Sequence, residues 1–110
     1  MMDLREEPRD GVTVLLVKWG VGVLHWDQGI LTKTVRNLAA RGQKRIVLDV
    51  SDIPHIDSDG IGELVQCMAI AARKGGEFKL INLHERIRDN LAITKLLPIL
   101  SADDDEARGG

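Results

Sequence analysis

Cysteine and aromatic residues are scarce in this chain of 110 residues. It has one cysteine, two tryptophans, one phenylalanine and no tyrosine. A single cysteine, Cys67, excludes an intramolecular disulfide framework and any zinc or iron–sulfur site built from several cysteines. The aromatics Trp19, Trp26 and Phe78 are scattered, whereas a base-stacking surface for single-stranded nucleic acid needs clustered aromatic and basic residues. The sequence therefore excludes a disulfide-stabilised mini-protein and argues against a nucleic-acid-binding protein.

Surplus charge and long apolar runs are also missing. The chain has 15 basic and 17 acidic residues, for a net charge of -2, so no basic excess indicates nucleic acid as a partner. No apolar run approaches the ~20 residues that span a bilayer. The first ten residues, MMDLREEPRD, mix both charge signs and are unlike a signal peptide. We therefore expect a cytoplasmic protein with neither nucleic acid nor membrane as a partner.

Hydrophobic residues make up 44% of the chain, which is enough for the core of one domain without metal or disulfides. The β-branched run VTVLLVKW predicts a strand over 12–19, and residues 1–10 are either a loose arm or a first edge strand. After Gly20, residues 21–24 are compatible with a continuation of that strand. Asp27 is a candidate N-cap for a helix over 28–41, which has apolar residues at helical spacing.

The second half continues the alternation of strands and helices. The apolar run KRIVLDV predicts a strand over 44–50 that is buried on both faces, as in parallel sheets. A helix over 58–74 ends at two glycines, and a strand over 77–83 follows. A third helix is predicted over 84–93 and a short strand over 98–100.

This order predicts an α/β fold with a mixed sheet of four to five strands and helices packed on it. One domain spans residues 1–110, with its core at about 11–100 and an acidic tail at 101–110.

The most informative segment is VLDVSDIPHIDSDGIGEL, residues 47–64. A buried strand ends there, a tight loop follows, and a helix begins at Ser58, which is flanked by Asp57 and Asp59. Ligand sites in α/β sheets favour this position, beyond the carboxyl end of a strand. The structural interpretation is that Asp57 or Ser58 caps the helix. The functional one is that Ser58 accepts a phosphate, which the positive end of the helix dipole tolerates. From the residues alone, capping is favoured.

The run IleAspSerAspGlyIleGly at 56–62 resembles the signature of the STAS domain family. The family pattern is a hydrophobic residue, Asp, Ser, Ser or Thr, Gly, Leu or Ile, and Gly. The resemblance extends over about residues 11–100. It includes the turn and strand GlyGlyGluPheLysLeu at 75–80 and the stretch ArgIleArgAspAsnLeuAlaIleThrLysLeu at 86–96.

This resemblance implies an anti-sigma factor antagonist that is not an enzyme and needs no cofactor or metal. In the family, the Ser after the motif Asp is phosphorylated by a serine kinase that is also the anti-sigma factor. The matching residue is Ser58, in a phosphosite loop with Asp57, Asp59 and Gly60. The unphosphorylated form binds the anti-sigma factor and frees the sigma factor, and phosphorylation abolishes the binding. A serine phosphatase is a further expected partner, and the protein is expected to be a monomer or weak homo-oligomer.

In the STAS family the helix after the phosphorylated serine contacts the kinase, so the resemblance implies the same role for the helix that follows Ser58. Helical spacing predicts that Glu63, Gln66, Cys67 and Ile70 share one solvent face, opposite an apolar side. A charge at Ile70 is therefore expected to weaken partner binding and to leave the fold intact. The full set of expected partner contacts is Ile61, Gly62, Glu63, Gln66, Cys67 and Ile70.

Asp59 departs from the family pattern, which has Ser or Thr at that position. A fixed carboxylate there leaves open an alternative, a STAS scaffold subunit of a larger signalling or transport assembly that does not switch. A remote alternative is a small hydrolase with Ser58 as nucleophile, but Ser58 lacks the GlyxSerxGly elbow. Isolated histidines, at 25, 55 and 84, form no metal-binding pair.

Overall fold

The computed structural model describes residues 2–20 and 26–100. In these ranges the chain forms four strands and four helices. In chain order they are β1 (Met2–Arg9), β2 (Val12–Trp19), α1 (Ile30–Ala40), β3 (Arg45–Asp49), α2 (Ser58–Arg73), β4 (Glu77–Ile81), α3 (Glu85–Ile93) and α4 (Leu97–Leu100).

The strands form one mixed sheet in the order β1-β2-β3-β4. β1 pairs antiparallel with β2, while β2 with β3 and β3 with β4 pair parallel. The turn between β1 and β2 has positive φ at Asp10 (48°) and Gly11 (82°), as the tight turns favoured in β-hairpins require. The predicted mixed α/β sheet is confirmed, and residues 2–9 form its edge strand instead of a loose arm.

One face of the sheet carries the core. Side chains alternate along each strand, and those on this face are at most 3% exposed: Leu15, Val17, Ile46, Leu48, Phe78 and Leu80. They join one hydrophobic cluster with residues of all four helices. The two parallel crossovers, β2-α1-β3 and β3-α2-β4, place α1 and α2 side by side, and the right hand of such connections puts both on the same face. The motif at 56–62 lies where the second crossover leads from β3 into α2.

Several predicted boundaries are corrected. α1 begins at Ile30, not 28, and its cap position is Gly29, not Asp27. β4 ends at Ile81 because Asn82 has a φ of 59°, which a strand does not accommodate.

The predicted strand over 98–100 is instead the last part of α4, a single helical turn. Its Leu100 is fully buried, and the Lys79 ammonium donates to the Ile99 carbonyl at 2.7 Å. The predictions for 21–24 and 101–110 lie outside the described residues. Within the described ranges, every helix is too short or too polar to cross a bilayer.

Candidate functional site

The start of α2 shows which residue caps the helix. Asp57 is the N-cap, with extended backbone, and its Oδ1 accepts a hydrogen bond from the Gly60 N–H at 2.9 Å. Ser58 is therefore the first helical residue, and its hydroxyl is not used as a cap. Ser58 is exposed, and within residues 2–20 and 26–100 its side chain makes no hydrogen bond. The site thus presents an uncommitted hydroxyl group to solvent.

Gly60 permits a close contact two residues after Ser58. A Cβ at this position would lie 2.8 Å from Ile56 Cγ2 and 2.9 Å from Trp26 Cε3, distances that a real side chain does not tolerate. Trp26 is only 5% exposed, and its ring lies 6.4 Å from that of Trp19, centroid to centroid. A glycine at the fifth position of the motif is therefore needed so that the Trp26 indole can pack under the start of α2.

The loop between β3 and α2 is held at its first half by carboxylates. Asp52 Oδ2 accepts from the Trp19 N–H at 2.7 Å. Asp49 accepts from the Ser51 N–H and from the Asn82 side-chain amide, both at 2.9 Å. Burial raises the pKa of Asp49, but these donors and the Ser51 hydroxyl outweigh burial, so the pKa is below its ordinary value of 3.8. The charged form of Asp49 is thus the one that fits the loop.

The second half of the loop is held by α3 and the residue before it. His84 Nε2 lies 2.6 Å from the Ile53 carbonyl oxygen, and the Ile56 N–H donates to Asn90 Oδ1 at 3.1 Å. Ile53 and Ile56 are buried. Both halves are therefore fixed by neighbours distant in sequence, and Ser58 follows a loop of defined geometry.

Glu63 is a residue whose role sequence reasoning missed. It is 3% exposed, and its carboxyl oxygens accept from Trp26 Nε1 (2.7 Å), from the Gly29 N–H (3.0 and 3.1 Å) and from the Thr32 N–H (2.8 Å). Gly29 and Thr32 lie at the N-terminus of α1, where backbone N–H groups lack helical partners. A side chain of α2 therefore caps α1 and also fixes the indole that packs against Gly60.

The predicted solvent face of α2 is wrong at three of its four positions. Glu63, Cys67 (0% exposed) and Ile70 (7%) are buried, while Gln66 is exposed. The physical reason is that α2 packs against α1 as well as against the sheet, so two of its sides are covered. Burial raises the pKa of the Cys67 thiol, and the nearby charge of Glu63 raises it further. These three residues are thus part of the interior and not of a contact surface.

The exposed side of α2 runs the whole length of the helix. Ile61 is half-buried beside it, and Val65, 38% exposed, is its largest apolar residue. We call this surface the α2 stripe, and its members are Ser58, Asp59, Gly62, Val65, Gln66, Ala69, Ala72 and Arg73. Of the predicted partner contacts, Gly62 and Gln66 belong to it. The stripe begins at the uncommitted Ser58 hydroxyl, and three of its members, Gly62, Ala69 and Ala72, have little or no side chain.

Comparison with known proteins places this geometry in context. The STAS domain family matches residues 8–108. A Thermotoga neapolitana protein described as a homologue of an anti-sigma factor antagonist is 36% identical over 56 residues. That alignment covers 51% of this chain and 50% of the relative, so the chain spans about half the length of the curated relative it matches.

Two solved structures share the fold. One, an anti-sigma factor antagonist from Mycobacterium paratuberculosis, has a TM-score of 0.74 at 19% identity, covering 98% of this chain and 93% of the other. The second, described as an anti-sigma factor antagonist of Thermotoga maritima, has a TM-score of 0.72 at 23% identity, covering 89% and 83%. At these identities the likeness is one of fold. Because the family match covers nearly the whole chain, with Ser58 and its loop inside it, this chain belongs to the STAS domain family.

Proposed function

We propose that this protein is an anti-sigma factor antagonist that binds an anti-sigma factor through the α2 stripe and the loop before it. The observation that carries the proposal is the exposed Ser58 hydroxyl at the first position of α2, beyond a loop held on both sides. The names of the relatives support the partner class. Such a partner places the protein in the cytoplasm.

Phosphorylation of Ser58 is the proposed switch, with the anti-sigma factor as the serine kinase and a serine phosphatase as the enzyme that restores binding. A phosphate adds about -1.5 to -2 charges at pH 7. Asp57 and Asp59 are its exposed neighbours, so the modified site carries a concentrated negative charge. Burying that charge in an interface costs desolvation free energy. Binding is therefore abolished without any change of fold.

A binding role fits Ser58 better than a nucleophilic one. A serine nucleophile needs a general base within hydrogen-bond distance, and in the described ranges the Ser58 hydroxyl has no such partner. His84 is engaged with the Ile53 carbonyl. The proposal accordingly assigns Ser58 the role of a substrate of the kinase, and assigns the chain no reaction of its own.

Asp59 favours a second candidate, the scaffold subunit that does not switch. It is exposed and directly follows Ser58, so the unmodified site already carries part of the charge that a phosphate would add. In a scaffold, the α2 stripe would hold a partner permanently. The two candidates differ in whether Ser58 is modified.

The test is to incubate the purified protein with ATP, Mg²⁺ and an extract of the organism that encodes it, and to map phosphopeptides by mass spectrometry. The chain has three serines, at 51, 58 and 101. We expect one phosphate, on Ser58, with labelling lost in Ser58→Ala and kept in Ser51→Ala, an exposed serine of the same loop. Ser58→Ala protein should also capture an anti-sigma factor from the extract. Absence of phosphate on Ser58, with the extract active on a control substrate, would favour the scaffold.

A further inference from the structure

The face of the sheet opposite the core carries aliphatic side chains, and we call it the open face. All four helices contribute to the core cluster on the other face, and residues that alternate with core residues along a strand point away from it. Five of these are aliphatic, and among residues 2–20 and 26–100 they neither join the core cluster nor pack against it: Val12, Val14, Leu16, Val47 and Ile81. Val14 is 6% exposed and the other four are half-buried. The open face is thus an apolar surface separate from the core.

The pairing of the strands also indicates that this face is covered. β2, β3 and β4 pair in parallel, and parallel sheets are usually covered on both faces. The apolar run of β3 predicted burial on both faces, yet Val47 of that strand is only half-buried in the single chain. A partner on the open face would complete the burial.

Charged residues lie at both sides of the open face and follow a pattern. Residues paired across the sheet lie in rows, and three rows of the open face span all four strands. From β1 to β4 these rows are Arg9-Val12-Arg45-Glu77, Glu7-Val14-Val47-Lys79 and Arg5-Leu16-Asp49-Ile81. In the first two rows the residues on β1 and β4 have opposite charges, and the order of the charges is reversed from one row to the next.

We propose that the open face binds the open face of a second copy of this chain, about a two-fold axis parallel to the strands between β2 and β3. This rotation places β1 of each copy over β4 of the other, with the rows in register. Arg9 then faces Glu77 of the second copy, and Glu7 faces Lys79 of the second copy. Each contact occurs twice because the axis is two-fold. The charges at both sides of the face are therefore self-complementary.

The centre of the face fits the same arrangement. In the middle row Val14 faces Val47 of the second copy, so apolar surface meets apolar surface. Lys79 also donates to the Ile99 carbonyl, but an ammonium group has three donors and can contact a carboxylate as well. Aligned sheets cross at about 30°, an offset that long Arg, Glu and Lys side chains can follow.

The open face is small, so the dimer is weak. Four strands ~4.8 Å apart and five residues at ~3.3 Å each give roughly 300 Å² of flat area on each copy. Stable interfaces bury about 1,200–2,000 Å² in total, and smaller ones are transient. α2 lies on the core side of the sheet, so its exposed side points away from the second copy. The dimer therefore presents two accessible Ser58 hydroxyl groups.

Sedimentation equilibrium of the full-length protein tests the dimer, at concentrations up to about 1 mM, the dissociation constant of a very weak complex. Arg9→Glu and Glu77→Arg should each weaken dimerisation about tenfold or more, because each creates two like-charge contacts. Both residues are exposed, and their pairs within the chain, with Glu7 and Arg45, are exposed too, so the fold should persist. An equimolar mixture of the two variants should dimerise again, because every contact between positions 9 and 77 then joins opposite charges.

The matched control is the pair Lys33→Glu and Glu85→Arg, which makes the same changes of net charge at exposed positions of α1 and α3. Each control variant should dimerise like the unchanged protein, and their mixture should bind no more tightly. The proposal is overturned by a protein that stays monomeric at about 1 mM, or by an equal loss of dimer in the control variants. A mixture of Arg9→Glu and Glu77→Arg that stays monomeric also overturns it, since an axis across the strands stacks β1 on β1 and gives no such recovery.

Amide shifts in ¹⁵N spectra locate the contact as the protein is diluted. We expect them to change along the four strands and to stay constant along α2, and changes confined to the helices would contradict the open face as the interface. None of these measurements involves Ser58, a kinase or an anti-sigma factor. Their failure therefore refutes the dimer alone and leaves the proposed function untouched.

Discussion

Glu63 joins three parts of the site through one buried carboxyl group. Its oxygens accept from the Trp26 indole and from two backbone N–H groups of α1. On a helical projection Glu63 falls beside exposed Gln66, and the sequence alone therefore predicted that the Glu63 side chain faces solvent. The donors it serves lie 31 to 37 residues earlier in the chain, and no local pattern encodes such a pairing.

Glu63→Ala is expected to lower the free energy of unfolding by about 3 kcal/mol, because a buried donor left without an acceptor costs about 1–3 kcal/mol. Urea denaturation monitored by tryptophan fluorescence measures it. Gln66→Ala, on the exposed side of the same helix, is the control, with a change of less than about 0.5 kcal/mol. Equal effects of the two variants would contradict the capping role.

Gly60 and Gly62 form a matched pair for testing the close contact between the start of α2 and Trp26. Gly60→Ala places a Cβ 2.8 Å from Ile56 Cγ2 and is expected to destabilise the fold by about 1–3 kcal/mol, the usual cost of overpacking. At Gly62 a Cβ meets nothing within 4 Å, so Gly62→Ala should stabilise it by up to about 1 kcal/mol through helix propensity. Thermal unfolding gives the melting temperature of each variant. We expect Gly60→Ala to lower it and Gly62→Ala to raise it, relative to the unchanged protein.

The position of Ser58 was predictable from sequence, whereas its state was not. The motif at 56–62 predicted an exposed serine at the start of a helix, and residues alone left open whether Asp57 or Ser58 was the cap. The choice depends on backbone geometry: Asp57 is extended and bonds Gly60. Ser58 is consequently left free for other chemistry.

At the scale of elements, the loop between β3 and α2 depends on a charged Asp49. Its pKa is lowered in the fold, so its contribution to stability is present above the ordinary value of 3.8 and is lost as the pH falls below that value toward the folded-state pKa. We expect Asp49→Asn to remove this part of the acid destabilisation. Unfolding free energies of both proteins between about pH 5 and pH 2 provide the measurement. Parallel curves would show that other carboxylates are responsible.

The structure changes the expected effect of a charge at Ile70, which the sequence placed on the solvent face of α2. Ile70 is 7% exposed, so Ile70→Glu is expected to unfold the protein instead of only weakening partner binding. Val65 is the better probe, and Val65→Glu should weaken anti-sigma factor binding about tenfold or more, equal to about 1.4 kcal/mol, at unchanged melting temperature. Ile93→Glu is the control, since Ile93 is 82% exposed on α3. Calorimetric titration measures the affinities.

Elements with strong patterns were predicted to within two residues, whereas the start of α1 and the type of α4 depend on long-range contacts and were predicted wrongly. The apolar run of β3 and the glycine-terminated α2 match the structure closely. α1 starts late because its cap comes from Glu63. α4 is helical where a strand was predicted, because Leu100 enters the core and Lys79 binds the Ile99 carbonyl. Local propensity over three residues could not indicate either contact.

At the scale of the whole molecule, the anchoring of the loop before Ser58 has a consequence for time. Asp52 bonds the loop to the end of β2, and His84 and Asn90 bond it to α3 and its N-cap, so the Ser58 hydroxyl is in place before any kinase arrives. No slow rearrangement of the loop therefore has to precede binding of the kinase. The rate of the proposed switch would then be set by the rates at which the kinase adds the phosphate and the phosphatase removes it. The phosphorylated state would last as long as the phosphoserine ester bond.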